Sequence, residues 1–106
     1  MTETDLSIDG MSQEVEALRQ AFDRYFQGLE KRPPQPQREK LEKKLNRMLT
    51  APRMRAAERF RLQQLRQRMN SYARLWDRIL RGIEEGTLRR EPGRPLTAPQ
   101  PATPKK

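Results

Sequence analysis

The sequence contains no cysteine and no histidine. Without thiols, disulfides and thiolate metal centres are excluded. Without imidazole, the chain lacks the commonest general base and the commonest metal ligand. No metal, no cofactor and no enzymatic activity are expected. Aromatic residues make up 6% of the chain, too few to fill a core and also build a base-stacking platform. No apolar run approaches the roughly 18 residues that a membrane-spanning helix needs. The opening MTETDLSIDG is acidic and lacks the apolar stretch of a secretory signal. The expected compartment is the cytoplasm, with no membrane span. At 106 residues and 33% hydrophobic content, one domain with a narrow core is expected. A helical bundle, whose core is a seam, suits that composition better than a sheet sandwich with two buried faces.

What the chain does have is a heptad, twice. Ile8, Met11, Val15, Leu18, Phe22, Tyr25 and Leu29 recur in steps of three and four, as do Leu62, Leu65, Met69, Tyr72, Trp76, Ile79 and Ile83. Each run lays one apolar seam along one α-helix. A loose acidic lead-in is expected over residues 1–10, because Gly10 weakens the helix there. Helix 1 is expected over 12–30, with Glu14 and Glu16 in its first turn, ending before Pro33, Pro34 and Pro36. Helix 2 is expected over 36–49, with Leu41, Leu45, Met48 and Leu49 as its apolar stripe. Helix 3 is expected over 52–85, extended weakly at its start by Met54 and Ala57 and closed by Gly86. The fold class is therefore all-α: an elongated helical hairpin or three-helix, coiled-coil-like bundle over 11–86. Helix 3 outlasts helix 1, which leaves seam for a partner or for homodimerisation. Residues 87–106 carry five prolines and almost no apolar residues, the composition of a disordered basic tail. Its P-x-x-P spacings, Pro92 to Pro95 and Pro101 to Pro104, are common by chance in such a tail.

The net charge of +9 is unevenly placed. Residues 1–10 carry −3, residues 11–32 balance, and 33–50, 51–86 and 87–106 carry +3, +5 and +4. A basic surface of this kind attracts an acidic protein partner or nucleic acid. Lys40, Lys43, Lys44 and Arg47 recur on the side of helix 2 opposite its apolar stripe, and suit a run of phosphates or a partner's acidic strip as well as plain solvation. Nothing there reads a base edge, so nucleic-acid binding would be non-specific. Helix 3 holds nine arginines and no lysine. Arg55, Arg59, Arg66, Arg74 and Arg81 fall opposite its seam. Arg61 and Arg68 sit at the seam's edge, where they can pair with an acid such as Glu14 and fix helix register. Phe60, between Arg59 and Arg61, is expected to pack on the apolar stripe of helix 2, and Phe26 has the same status on helix 1. Left exposed, Phe60 would be interface hot-spot chemistry. The candidate anion- or partner-binding residues are thus Lys40, Lys43, Lys44, Arg47, Arg55, Arg59, Phe60 and Arg66.

Two stretches resemble known proteins. Residues Leu18 to Asp23, with Leu29 and Arg32, resemble the first helix of the all-α chorismate mutases, but Pro33, Pro34 and Pro36 cut the helix where that family continues. Arg59-Phe60-Arg61, Leu65, Leu75-Trp76-Asp77-Arg78 and Glu84-Glu85-Gly86 resemble small bacterial helical proteins of no assigned activity. That resemblance spans most of the three helices and implies a recurring helical unit without a chemistry. The expected function is a non-enzymatic interaction or adaptor module presenting a basic helical surface, with a non-specific nucleic-acid-binding accessory protein as the alternative.

Overall fold

A computed structural model describes residues 3–90, in three helices: α1 (Glu3–Phe26), α2 (Gln35–Leu49) and α3 (Ala56–Glu85). The long-range pairs give the topology. Asp9 meets Arg61, Glu16 meets Tyr72 and Phe22 meets Trp76. Position along α1 and α3 rises together, so these helices run parallel. α2 starts beside Asp77, which Arg38 reaches, and ends beside Arg59, which reaches Leu49. It therefore runs antiparallel to both. The all-α bundle expected from the heptads is what the chain forms.

The core is the seam itself. Ile8, Met11, Val15, Leu18, Phe22 and Phe26 of α1 close on Leu62, Leu65, Met69 and Trp76 of α3, with Leu41 and Leu45 of α2 capping the third side. The steps differ in detail from the expected ones. After Phe22 the seam advances by four to Phe26, leaving Tyr25 half-buried. After Met69 it includes Ala73 beside Tyr72. Leu29 is 56% exposed, because α1 has ended before it.

The ends of α1 depart from expectation for local reasons. The expected loose lead-in is helical from Glu3. Ile8 and Met11 are buried, and each contributes about 1.5–3 kcal/mol, more than the roughly 1 kcal/mol that Gly10 costs a helix. The helix stops at Phe26 without help from the prolines. Gly28 takes φ 81°, its amide bonds to the Tyr25 carbonyl, and the Leu29 amide bonds to that of Arg24. This is a Schellman closure, which needs a left-handed residue and so a glycine. α3 begins at Ala56 rather than 52: the Arg55 amide donates to the Glu58 carboxylate at 3.1 Å, fixing the first turn there. Ala57 is exposed and adds nothing to the seam, whereas Met54 packs against it from the loop.

Gly86, at φ 83°, closes α3 by the same device as Gly28. Residues 87–90 then fold back rather than leaving the domain. Leu88 rests on the buried Gly82, where an added β-carbon would stand 2.6 Å from Leu88 Cδ1. Arg90 donates to the carbonyls of Tyr25 and Glu30, each at 2.9 Å, and its guanidinium lies 4.1 Å from the Tyr25 ring centre. This strap crosses the end of α1. Ile79, Leu80 and Ile83, which continue the α3 seam, are half-buried against the core. The remainder of the expected tail lies outside the described residues.

Candidate partner-binding site

α2 is held on both flanks by charge. On one side Arg38 forks onto Asp77 of α3, at 2.8 and 3.1 Å, and also reaches Glu42. On the other, Lys44 pairs with Glu14 of α1 at 2.9 Å. Leu41 and Leu45 point inward between them. These anchors fix the rotation of α2 about its own axis, and so aim its remaining side chains. Lys40, Lys43 and Arg47 are exposed and have no ion-pair partner among the described residues. Together with Lys44, Leu41, Gln37 and Glu14 they line an open depression along the α1–α2 boundary. It continues past Ala17, Leu18 and Ala21 to Arg24, and then to Arg32 and the proline turn.

The candidates on α3 do not join this surface. α2 turns its Arg38 flank towards α3 and its Lys44 flank towards α1, so the cationic stripe borders α1. Arg55 is tied to Glu58, which is itself buried. Arg59 donates to the carbonyls of Leu49 at 3.1 Å and Ala51 at 3.4 Å, closing the C-terminal end of α2 where carbonyls lack helical partners. Arg66 bonds to Asn70. Phe60 does not pack on α2 but is 60% exposed. It lies two residues before the buried Leu62, which turns it about 160° away from the core at roughly 100° per residue. The eight candidates therefore divide into a coherent group of four on α2, three arginines engaged within or beside α3, and an isolated exposed aromatic.

Arg61 does act at the seam's edge, though on Asp9 and not Glu14, which is engaged by Lys44. Arg68 is near enough to Glu16 to act on it through charge. The Arg19 hydrogen bond lowers the Glu16 pKa, and the Tyr72 hydroxyl adds to that at 3.2 Å. Burial and the Glu16 carboxylate raise the Tyr72 pKa. Asp77 is held below the usual carboxylate range chiefly by the Arg38 hydrogen bond, and Arg38 is raised in turn. These shifts belong to the Arg19–Glu16 pair within α1 and to the Tyr72–Glu16 and Arg38–Asp77 pairs that join helices, not to the cationic depression. No local pattern in the sequence marks Arg38, Asp77 or Arg90 as a clamp. Their roles depend on partners 39 to 65 residues away.

Among the described residues no group of three acidic, His or Cys side chains is placed to hold a metal, and no helix is long and apolar enough to cross a membrane. No family model, no curated protein and no solved structure matches the chain.

Proposed function

We propose that this chain is a non-enzymatic interaction module of the cytoplasm that binds an acidic protein partner through the α1–α2 boundary. The observation that carries this reading is that cations without an internal carboxylate partner among the described residues stand together along an open depression at the α1–α2 boundary. Arg38, Lys44, Arg55 and Arg61 are committed to carboxylates of the same chain, and Arg59 and Arg90 to backbone carbonyls. Lys40, Lys43 and Arg47 form one exposed stripe without such a commitment among the described residues. Their charge is available to a partner at little internal cost. The depression beside them mixes apolar and charged lining, including Leu41 and Glu14, which favours a folded acidic surface over a bare phosphate backbone.

The test is capture from native lysate by the full chain and by a Lys40→Glu/Lys43→Glu/Arg47→Glu variant, with and without nuclease, at moderate salt. A partner that survives nuclease and is lost with the variant supports the reading. Recovery that disappears with nuclease, with affinity falling steeply in salt, assigns the stripe to nucleic acid instead.

A further inference from the structure

The three inter-helix boundaries of the bundle are filled differently. Between α1 and α3, Tyr72 bonds to Glu16 and Arg61 to Asp9 across the surface. Between α2 and α3, Arg38 bonds to Asp77 and Met54 packs against the core. Between α1 and α2, only Lys44 and Glu14 bridge among the described residues, at one end. Beyond that pair the boundary is floored by the buried Leu18 and Leu41 and flanked by Gln37 and Arg24. On α1 it presents Ala17 and Ala21, short side chains that leave the helix backbone open to close approach.

We infer that this boundary is the seat of a fourth helix, an acidic amphipathic segment of the partner protein, which completes a four-helix arrangement. The inference rests on the interaction reading above and specifies its occupant. The stretch from Glu14 to Arg24 on α1 and that from Gln37 to Arg47 on α2 are each about 15 Å long at 1.5 Å per residue, nearly three turns of a docked helix. Alanine at Ala17 and Ala21 allows a helix to lie at the 8–10 Å separation typical of packed helices. Lys40, Lys43 and Arg47 repeat at three and four along one edge, so carboxylates at i, i+4 and i+7 of the incoming helix face them in turn. Charge disfavours the chain's own end as occupant: residues 91–106 hold Arg94, Lys105 and Lys106 against the single acid Glu91.

The experiment titrates the full, isotope-labelled chain with a helical peptide of about 15 residues, bearing glutamates at i, i+4 and i+7 beside an Ala/Leu face. A scrambled peptide of the same composition and a single-stranded RNA serve as comparators. The expected result is amide shifts confined to residues 14–24 and 37–47, with at least about tenfold preference over the scrambled peptide. Ala17→Gln/Ala21→Gln fills the boundary without adding charge or touching the buried core, and is expected to abolish that preference. Equal binding of both peptides, undiminished by the alanine variant but lost with the α2 charge variant, overturns the helix seat while leaving an acidic partner in place. Preference for RNA, or no peptide binding at all, overturns the helix seat, and the nuclease-controlled capture then judges the wider reading separately. Self-association dissolved by the alanine variant assigns the boundary to a second copy and also overturns the proposal.

Discussion

Phe22 of α1 and Trp76 of α3 stack with ring centres 4.1 Å apart and planes 14° from parallel, and both are buried. Phe26 lies 5.7 Å from Phe22 and Tyr72 lies 5.6 Å from Trp76, and Arg38 covers the indole at 5.9 Å. All three helices thus converge on Trp76. Trp76→Ala is expected to cost about 3–5 kcal/mol, most of the stability of a small domain. Trp76→Phe, which keeps a ring, is expected to remain folded with a lower urea midpoint. A double-mutant cycle with Phe22→Leu is expected to show about 0.5–1.5 kcal/mol of coupling. Additive costs would mean that the stacking contributes nothing beyond burial.

Two helical glycines are expected to respond oppositely to alanine. At Gly10 a β-carbon meets nothing within 4 Å, so Gly10→Ala is expected to gain up to about 1 kcal/mol from helix propensity. At Gly82 the added carbon would collide with Leu88, and the gain is expected to vanish or reverse. In a Leu88→Ala background the gain at Gly82 is expected to return. Thermal melts of the four variants check this, and equal gains at both glycines would show that the notch is not needed.

The strap depends on Arg90. Arg90→Ala removes two bonds to carbonyls at the end of α1 and the contact with Tyr25. A loss of about 1 kcal/mol is expected, together with faster amide exchange at residues 23–29. Arg90→Lys is expected to recover only part of it, since an ammonium lacks the planar fork. Unchanged exchange in Arg90→Ala would show that the α1 terminus is closed by Gly28 alone.

The Arg38–Asp77 pair sets an acid-side dependence. The Asp77 pKa is lowered in the folded state, chiefly by the Arg38 hydrogen bond, so folding favours the charged form. Its stabilisation is complete above the ordinary carboxylate pKa of about 4 and is lost as pH falls through the lower folded value. With the Asp77 side chain 52% exposed, solvent screening holds the effect to about 0.5–1 kcal/mol. Asp77→Asn is expected to lower the urea midpoint at about pH 6 and to differ little from the parent at about pH 3. The same gap at both values would remove the pair from the acid response.

Helix number and type are legible in the sequence because apolar spacing is a one-dimensional property. The α2 bounds fall within a residue of those expected, since Pro36 and the Thr50-Ala51-Pro52 break punctuate it unambiguously. Helix ends set by a single backbone torsion are less legible. Gly28 ends α1 before the prolines can, and the glutamate three residues after Arg55 marks the start of α3 more truly than Pro52 does. The cationic stripe of α2 is legible as a stripe, but the neighbours of Arg59 and Phe60 are not. Periodicity says which way a side chain points from its own axis and is silent on what lies opposite.

The sequence by itself determined that this chain folds through two apolar seams into an all-α bundle with cations concentrated after the first seam. Tertiary structure decided which of those cations stay available. Register between α1 and α3 brings Asp9 to Arg61, antiparallel docking of α2 brings Glu14 to Lys44 and Asp77 to Arg38, and the returning strap brings Tyr25 to Arg90. Each pairing joins residues distant in the chain, so it depends on the rotation and offset of whole helices. Among the cations these pairings leave uncommitted are Lys40, Lys43 and Arg47; their spacing along α2 is local, but their placement beside a boundary lined by Ala17 and Ala21 follows from the packing.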